Sequence, residues 1–468
     1  MSVRLFLVRM AVRILTRQKR QRFERALREP QKCQQKVLSD ILTLTELSRL
    51  PEQPTEYVSY PDNKSWTTES VKFYETTSGN SGKKKTIPYT RSLLQSFQNL
   101  FLLWIDDLMT VQRLKTGKLF MSISPRLESL GMSSDLDYLN PFFRWCMSSF
   151  IVARPSDFLA HDGHEFFKKI AIRLLNSPYL ESISIWSPTY WISLTQFMQQ
   201  NLQVLSLHIE ASTIKKIQNQ DWPAIWPNLK IISCWTDGSS LMSLRKLEEM
   251  FPQVSIQGKG LLATEAPMTI PWTSAAGCVP LWNEVYLEFI DKEGCLKPLH
   301  TIQAQQEVEL VISTKGGLLR YRIGDIVRCT HFYRQSPVLK FVRRVGEVSD
   351  LVGEKLDAAI LMDVFADLPR GKWLLVADGD HYVFVSDFKA DFQDIDRRLC
   401  QAFHYGLARE LKQLKAVRVK YFPDLTSKMI SYYTARKIKV GDVKERLLWA
   451  DPRILLFLES SKLSDSYL

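Results

Sequence analysis

Between residues 229 and 260 the chain runs through an apolar strand-like segment (LKIISCW), a helical stretch over 241–251 and a second strand-like segment over 254–260. Two strands joined through a helix in about thirty residues form a right-handed crossover, which commits this region to a parallel sheet covered by helices. After Pro280 the texture changes. Residues 285–291, 307–314, 318–330 and 339–344 read as short strands with turn residues between them, which predicts a small antiparallel barrel or meander. The tail is mixed again, with strands over 373–377 and 382–386, a helix over 391–414 and a strand over 417–421. Near the start, residues 1–48 read as two helices, the second opened by Pro30. Residues 51–68 read as loop, 71–76 as a strand and 118–124 as another. Residues 91–115 read as a long helix, because Leu93, Leu94, Phe97, Phe101 and Ile105 recur at helical spacing. The expected fold is α/β in three parts. Basic helices occupy 1–48, a large domain with mixed sheets and a small barrel occupies 49–341, and a small mobile α+β domain occupies 342–468.

Charge is distributed unevenly. The 468 residues carry a net charge of +12, yet residues 1–36 alone hold eleven Lys or Arg and two acids, leaving the remainder close to neutral. A nucleic-acid partner predicts a basic face spread over the fold, and that spread is missing. Arg9, Arg13, Arg17 and Arg20 share one helix face, while Leu7, Met10, Ala11, Ile14 and Leu15 take the other. Such a helix either lies on an anionic bilayer or packs on its own protein with a solvated basic face. Arg9 and Arg13 interrupt what would be the apolar core of a signal peptide. No apolar run approaches the ~20 residues of a membrane span. Seven widely spaced cysteines, with no Cys-x-x-Cys, fit a reducing cytosol rather than a disulfide framework or a zinc site. His161 and His164 read as a solvated loop pair rather than metal ligands.

The segment TTSGNSGKKKTIPY, residues 76–89, follows a strand and precedes a helix. Small residues let backbone N–H groups approach phosphate oxygens, and three lysines offset anionic charge. Its spacing differs from a Walker loop. Thr77-Ser78-Gly79-Asn80-Ser81-Gly82, with Lys85 three residues on, is instead similar to the phosphate loop of the adenylate-forming superfamily of acyl-CoA synthetases, peptide synthetase adenylation domains and luciferases. Asn80 stands where that loop usually carries Thr. Leu262-Ala263-Thr264-Glu265, Tyr321-Arg322-Ile323-Gly324-Asp325, the strand ending at Arg343-Arg344, and Gly441-Asp442-Val443-Lys444-Glu445-Arg446 follow in the superfamily's order. The stretches ISCWTDGSS, FPQVSIQGKGLLATEAP, GLLRYRIGDIVRC and FVRRVGEVSDLVGEKLDAA together resemble the Gretchen Hagen family of auxin-responsive acyl acid amido synthetases, in its bacterial form. The resemblance runs over roughly residues 20–450.

The resemblance implies a two-domain adenylate-forming ligase that uses ATP and Mg²⁺. A carboxylic acid would become an acyl-adenylate and pass to an amine, an amino acid for preference. The loop from Thr77 to Gly82 would hold phosphates, Lys85 would offset their charge, and Thr264 would orient the α-phosphate. Glu265 would hold Mg²⁺ and Asp325 the ribose. Arg344, Lys355 and Lys444 would complete a cationic cage from the hinge and the small domain. Transfer to a thiol such as CoA, and a non-catalytic nucleotide- or acyl-binding protein held at a membrane through residues 1–20, are the alternatives.

Overall fold

The computed structural model describes residues 3–55, 67–76, 85–111, 114–121, 150–153, 163–345, 348–369, 371–436 and 445–460. They form two compact units, Met1–Thr236 with Leu247–Phe341, and Asp237–Lys246 with Val342–Leu468. The sequence reading leaves residues 237–246 in the large domain. Here they pack with the second unit, where the Ser243 hydroxyl donates to Glu445 (3.0 Å).

In the first unit, α1 (Val3–Ala26) and α2 (Pro30–Thr43) precede a hairpin of β1 (Phe73–Thr76) and β2 (Thr86–Tyr89), and α3 (Arg91–Val111) follows. A four-stranded parallel sheet is ordered β3 (Leu119–Met121), β4 (Ser182–Ser184), β5 (Ile231–Cys234), β6 (Ser255–Gly258). Between its strands lie α4 (Gly163–Leu175), α5 (Pro188–Gln200) and α6 (Leu241–Met250). The crossover expected over 229–260 is present as β5–α6–β6. The strands after it are β7 (Thr269–Trp272), β8 (Gly277–Pro280), β9 (Val285–Ile290), β10 (Leu296–Pro298), β11 (Glu307–Thr314), β12 (Tyr321–Tyr333) and β13 (Ser336–Arg344). They make one seven-stranded sheet in the order β10-β9-β11-β12-β13-β8-β7. A single apolar core joins α1, α3 and this sheet, with Phe23, Trp104, Trp272 and Trp282 in it.

The face that α1 buries differs from the expected one. Val12, Thr16, Phe23 and Leu27 face inward. Arg20 is drawn in with them, paired with Asp106 (2.8 Å) and Asp107 (3.6 Å) of α3 and lying over Trp272. Met10, Ile14 and Leu15, expected to pack, are exposed. Two acids buried on α3 need a cation more than Ile14 needs cover, and that sets the rotation of the helix.

The second unit holds the short pair β14 (Val348–Ser349) and β15 (Leu356–Asp357), then α7 (Ala358–Val364). Its mixed sheet is ordered β18 (Arg418–Tyr421), β17 (His381–Ser386), β16 (Trp373–Asp378), β19 (Leu448–Trp449). The single helix expected over 391–414 is two, α8 (Phe392–Leu399) and α9 (Phe403–Glu410). Asp396 holds the pair together, accepting from Tyr405 Oη (3.1 Å) and Arg409 Nη2 (2.9 Å). Gly406 permits the bend, since a Cβ there would meet the Cys400 carbonyl oxygen at 2.6 Å.

Six described cysteines are free, and among the described residues no helix is long and apolar enough to cross a membrane. His164 lies on α4 and its Nε2 contacts Asn201 (3.2 Å), while His161 lies outside the described residues.

One buried acid fixes the entry to β3. Glu181 accepts from the backbone N–H groups of Lys115, Thr116 and Gly117, each at 2.7 Å. Burial pushes its carboxyl upward, but these N–H groups outweigh burial and hold it below the ordinary value of 4.5. A lowered folded-state value stabilises the fold above the ordinary range, and that contribution is lost as pH falls through the lowered value. Glu181→Gln is expected to destabilise by about 2 kcal/mol at neutral pH, measured by urea unfolding. The gap from wild type should close in acid.

Candidate active site

The β1–β2 hairpin sets the geometry. Its register pairs Thr76 with Thr86, and Lys85 is the first described residue after Thr76. Thr77, Ser78, Gly79, Asn80, Ser81 and Gly82 therefore lie outside the described residues. The hairpin reaches two other motifs. Lys85 Nζ donates to Tyr321 Oη at 2.7 Å, which ties it to the head of the Tyr-Arg-Ile-Gly-Asp strand. Tyr89 Oη donates to the Thr264 carbonyl at 2.8 Å. The Tyr89 ring is fixed by stacking on Phe73 and Phe97, at 5.0 and 5.7 Å between centroids.

Thr264 and Glu265 form the tip of a tight turn. Ala263 N–H donates to Ala266 O and Ala266 N–H to Ala263 O, at 3.1 and 3.2 Å, with Leu262 bridged to Pro267 just outside. Glu265 is only 6% exposed, and among the described residues its carboxylate takes part in no hydrogen bond or ion pair. A buried, unneutralised carboxylate is costly unless a cation comes to it. Among the described residues no cluster of three metal-ligating side chains exists. One carboxylate is nevertheless what a magnesium ion asks of a protein when phosphates and waters fill its other positions.

Asp325 is placed by a β-bulge. Against β11, Ile326 pairs with Glu309 and Arg322 with Val311, so three residues of β12 bulge out where β11 has one. Gly324 takes φ +79° there, and a Cβ on it would meet nothing within 4 Å. The bulge sets the direction of the buried Asp325, and a carboxylate with two acceptor oxygens suits a vicinal diol. Arg322 stays with the sheet, bidentate to Glu309 at 2.8 and 2.7 Å.

Arg344 and Lys355 belong to the second unit, and Lys444 lies outside the described residues. Arg344 ends β13. Its neighbour Arg343 pairs with Asp357 (3.1 Å), which also caps α7 by accepting from Ile360 N–H (2.8 Å). Lys355 is exposed at φ +47° in the β14–β15 connection. Beneath it the buried Glu354 accepts from Leu351 N–H (2.7 Å), Val352 N–H (2.8 Å) and Tyr382 Oη.

Three groups stand inside the quoted motifs without a role assigned from sequence, namely Tyr89, Tyr321 and Glu354. The only signal in the sequence is their place inside or just beside a motif. A further constellation sits at the carboxyl ends of β4, β5 and β6, the edge at which open α/β sheets take ligands. By register, Ser184 pairs with Ser233 and Ser233 with Gln257, so Trp186, Trp235 and Lys259, each two residues on, share their face. Lys259 is buried, donates to Ser184 Oγ (2.9 Å) and lies 4.3 Å from the Trp186 ring centroid. Among the described residues the buried Ser233 hydroxyl has no hydrogen-bond partner. Burial pushes the nearby Cys234 thiol up to about 12, so it stays protonated and is a poor nucleophile.

Residues 62–221 match the GH3 family N-terminal domain, and residues 278–344 match the GH3 family central domain. These two segments are similar to the N-terminal and central domains of the GH3 family. Together the GH3 matches take in just under half of the sequence. The indole-3-acetic acid-amido synthetase GH3.3 of Arabidopsis thaliana is 30% identical over 161 residues, which is 31% of this chain and 27% of the relative. The probable indole-3-acetic acid-amido synthetase GH3.6 of Oryza sativa subsp. japonica is 27% identical over 219 residues, 40% of this chain and 42% of the relative. The alignments thus span well under half of either relative's length. These relatives are plant proteins, and they lend no support to the bacterial form that the sequence suggested. In three dimensions the acyl acid amido synthetase AtGH3.15 in complex with 2,4-DB matches with a TM-score of 0.78 at 18% identity, covering 94% of this chain and 95% of that one. A 2-hydroxyisobutyryl-CoA ligase in the postadenylation state matches at 0.54 and 14% identity, covering 94% of this chain and 88% of that one. The architecture is the two-domain α/β fold of GH3 and adenylate-forming ligases.

Tyr89→Phe keeps the ring stack and removes only the donor to Thr264. It is expected to lose about 1 kcal/mol by chemical denaturation. An unchanged unfolding midpoint would mean that the bond is not made in solution.

Proposed function

We propose that the protein is an ATP-dependent ligase that converts a carboxylic acid to an acyl-adenylate and then transfers the acyl group to an amine, with an amino acid as the acceptor class. The observation that carries this reading is Glu265, a buried carboxylate without a protein partner among the described residues, held one hydrogen bond from the hairpin that bears the Ser/Gly/Lys loop. A magnesium ion there would offset charge on the attacked phosphate and the leaving pyrophosphate.

The chemistry divides into two steps. A carboxylate oxygen attacks the α-phosphorus, the bond to the β-phosphate oxygen breaks, and pyrophosphate leaves. An amine nitrogen then attacks the acyl carbon, the carbon–oxygen bond to AMP breaks, and the nitrogen loses a proton. In this reading residues 77–82 and Lys85 position the β- and γ-phosphates, Thr264 orients the α-phosphate and Asp325 accepts from the ribose hydroxyls. The resemblance would give Arg344, Lys355 and Lys444 the remaining positive charge. Such a site works by positioning and electrostatics and needs no covalent intermediate on the protein.

The acid's carboxylate is assigned to Lys259 and Ser233, with Trp186 and Trp235 as aromatic walls. A buried ammonium, a hydroxyl left to donate and two indoles suit a small planar acid.

Pyrophosphate exchange with ATP, Mg²⁺ and a panel of carboxylic acids tests the first step, and adding amino acids or CoA separates the acceptors. Glu265→Gln is expected to lower exchange about 100-fold, and Asp325→Asn to act mainly on the KM for ATP. Exchange with no acid would overturn the proposal. Lys259→Met is expected to raise the KM for the acid about ten-fold while leaving the KM for ATP unchanged. Equal rises in both would remove Lys259 from the acid site.

A further inference from the structure

A groove of about 970 Å³ runs along α1 beside α3, and five arginines line it, Arg13, Arg17, Arg20, Arg25 and Arg28. Two lining residues are spent on the protein itself. Arg20 is paired with Asp106, and Glu24 is paired with Arg334 (2.6 Å). The side chains of Arg13, Arg17, Arg25 and Arg28 are exposed and form no hydrogen bond or ion pair with the described residues. Glu29, the remaining acid of the lining, is paired with Lys32 (3.5 Å), so four guanidinium groups line the groove without an ion pair of their own among the described residues, and a partner rich in phosphate can meet them through bidentate contacts.

The same surface carries apolar side chains. Met10, Ile14, Arg17, Gln21, Arg25 and Arg28 recur at intervals of four, three, four, four and three, so they form one exposed stripe. Its N-terminal end is apolar, with Ile14 67% exposed, and its C-terminal end is basic. A nucleic-acid backbone would use the arginines and leave Met10 and Ile14 in water. An anionic lipid surface uses both, because the headgroup phosphates meet the arginines while the apolar side chains enter the acyl boundary.

We propose that the outward face of α1 binds the surface of an anionic membrane, with the helix lying in the interface and the Arg13–Arg28 groove holding lipid phosphates. The adenylation reading has no part in this assignment.

The test uses the full chain in co-sedimentation with phosphatidylcholine vesicles, with and without phosphatidylglycerol. Binding is expected only with phosphatidylglycerol, and it should weaken as salt rises. Replacing the four arginines together (R13Q, R17Q, R25Q, R28Q) is expected to weaken binding at least about ten-fold with the thermal melt unchanged. Met10→Ser with Ile14→Ser should weaken it separately. No binding of the wild-type chain to anionic vesicles would overturn the proposal. So would binding that survives the loss of the four arginines. Insensitivity to the Met10 and Ile14 changes, with a DNA duplex competing as well as vesicles, would mark a general polyanion site and overturn it too.

Discussion

The hydrogen bond from Tyr89 to the Thr264 carbonyl is the point on which the arrangement of the first unit's site depends. The β1–β2 hairpin has only four paired positions, and side chains alternate faces along it. A slip of one residue would turn Tyr89 away from Phe73 and Phe97 and break the bond to Thr264. It would also withdraw Lys85 from Tyr321. One register thus brings the flank of the Ser/Gly/Lys loop to two sequence motifs that lie 175 and 236 residues away along the chain. The aromatic stack does what four ladder positions alone could not, since a short isolated hairpin is marginal in water.

Buried carboxylates divide the rest of the molecule into scaffold and site. Glu181 is saturated by backbone N–H groups, Glu354 by two N–H groups and a tyrosine, and Glu288 by a bidentate Arg320 at 3.0 and 2.9 Å. Glu284 takes hydrogen bonds from Ser96, Asn99 and Lys315. Each of these acids fastens one element to another. Glu265 is nearly as buried and has no such task. The contrast is the physical reason for reading it as a ligand-facing group, because the same fold satisfies its other buried acids with N–H, hydroxyl and guanidinium donors.

Motif order and hydrophobic period made much of this legible in the sequence. The β5–α6–β6 crossover, the long α3 and the strands after Pro280 follow from periodicity, and Glu265 and Asp325 follow from their motifs. What stayed hidden depends on contacts distant in sequence. Nothing local says that Asp106 and Asp107 would be buried and would rotate α1 by claiming Arg20. Nothing in a helical pattern over 391–414 says that the helix would break after Leu399 and that Asp396 would gather Tyr405 and Arg409 across the break. Nothing in the run Gly-Lys-Gly marks Lys259, and only the register of three neighbouring strands places it beside Ser184 and Trp186.

Lys355 carries the same logic into the second unit. A non-glycine residue at φ +47° is unfavourable by about 1 kcal/mol, and a loop tip would ordinarily relax it. Here Glu354 prevents the relaxation. Its buried carboxylate gathers the N–H groups of Leu351 and Val352 and the hydroxyl of Tyr382, so the chain on either side of Lys355 has nowhere to move. Backbone strain of this kind persists when surrounding bonds over-determine it, and it gathers at functional sites. The order of the residues is therefore informative. The inward acid fixes the loop, and the lysine after it is exposed on a backbone already ordered. In the proposed role, an ammonium presented in this way would lose less entropy on meeting a phosphate than one on a free loop.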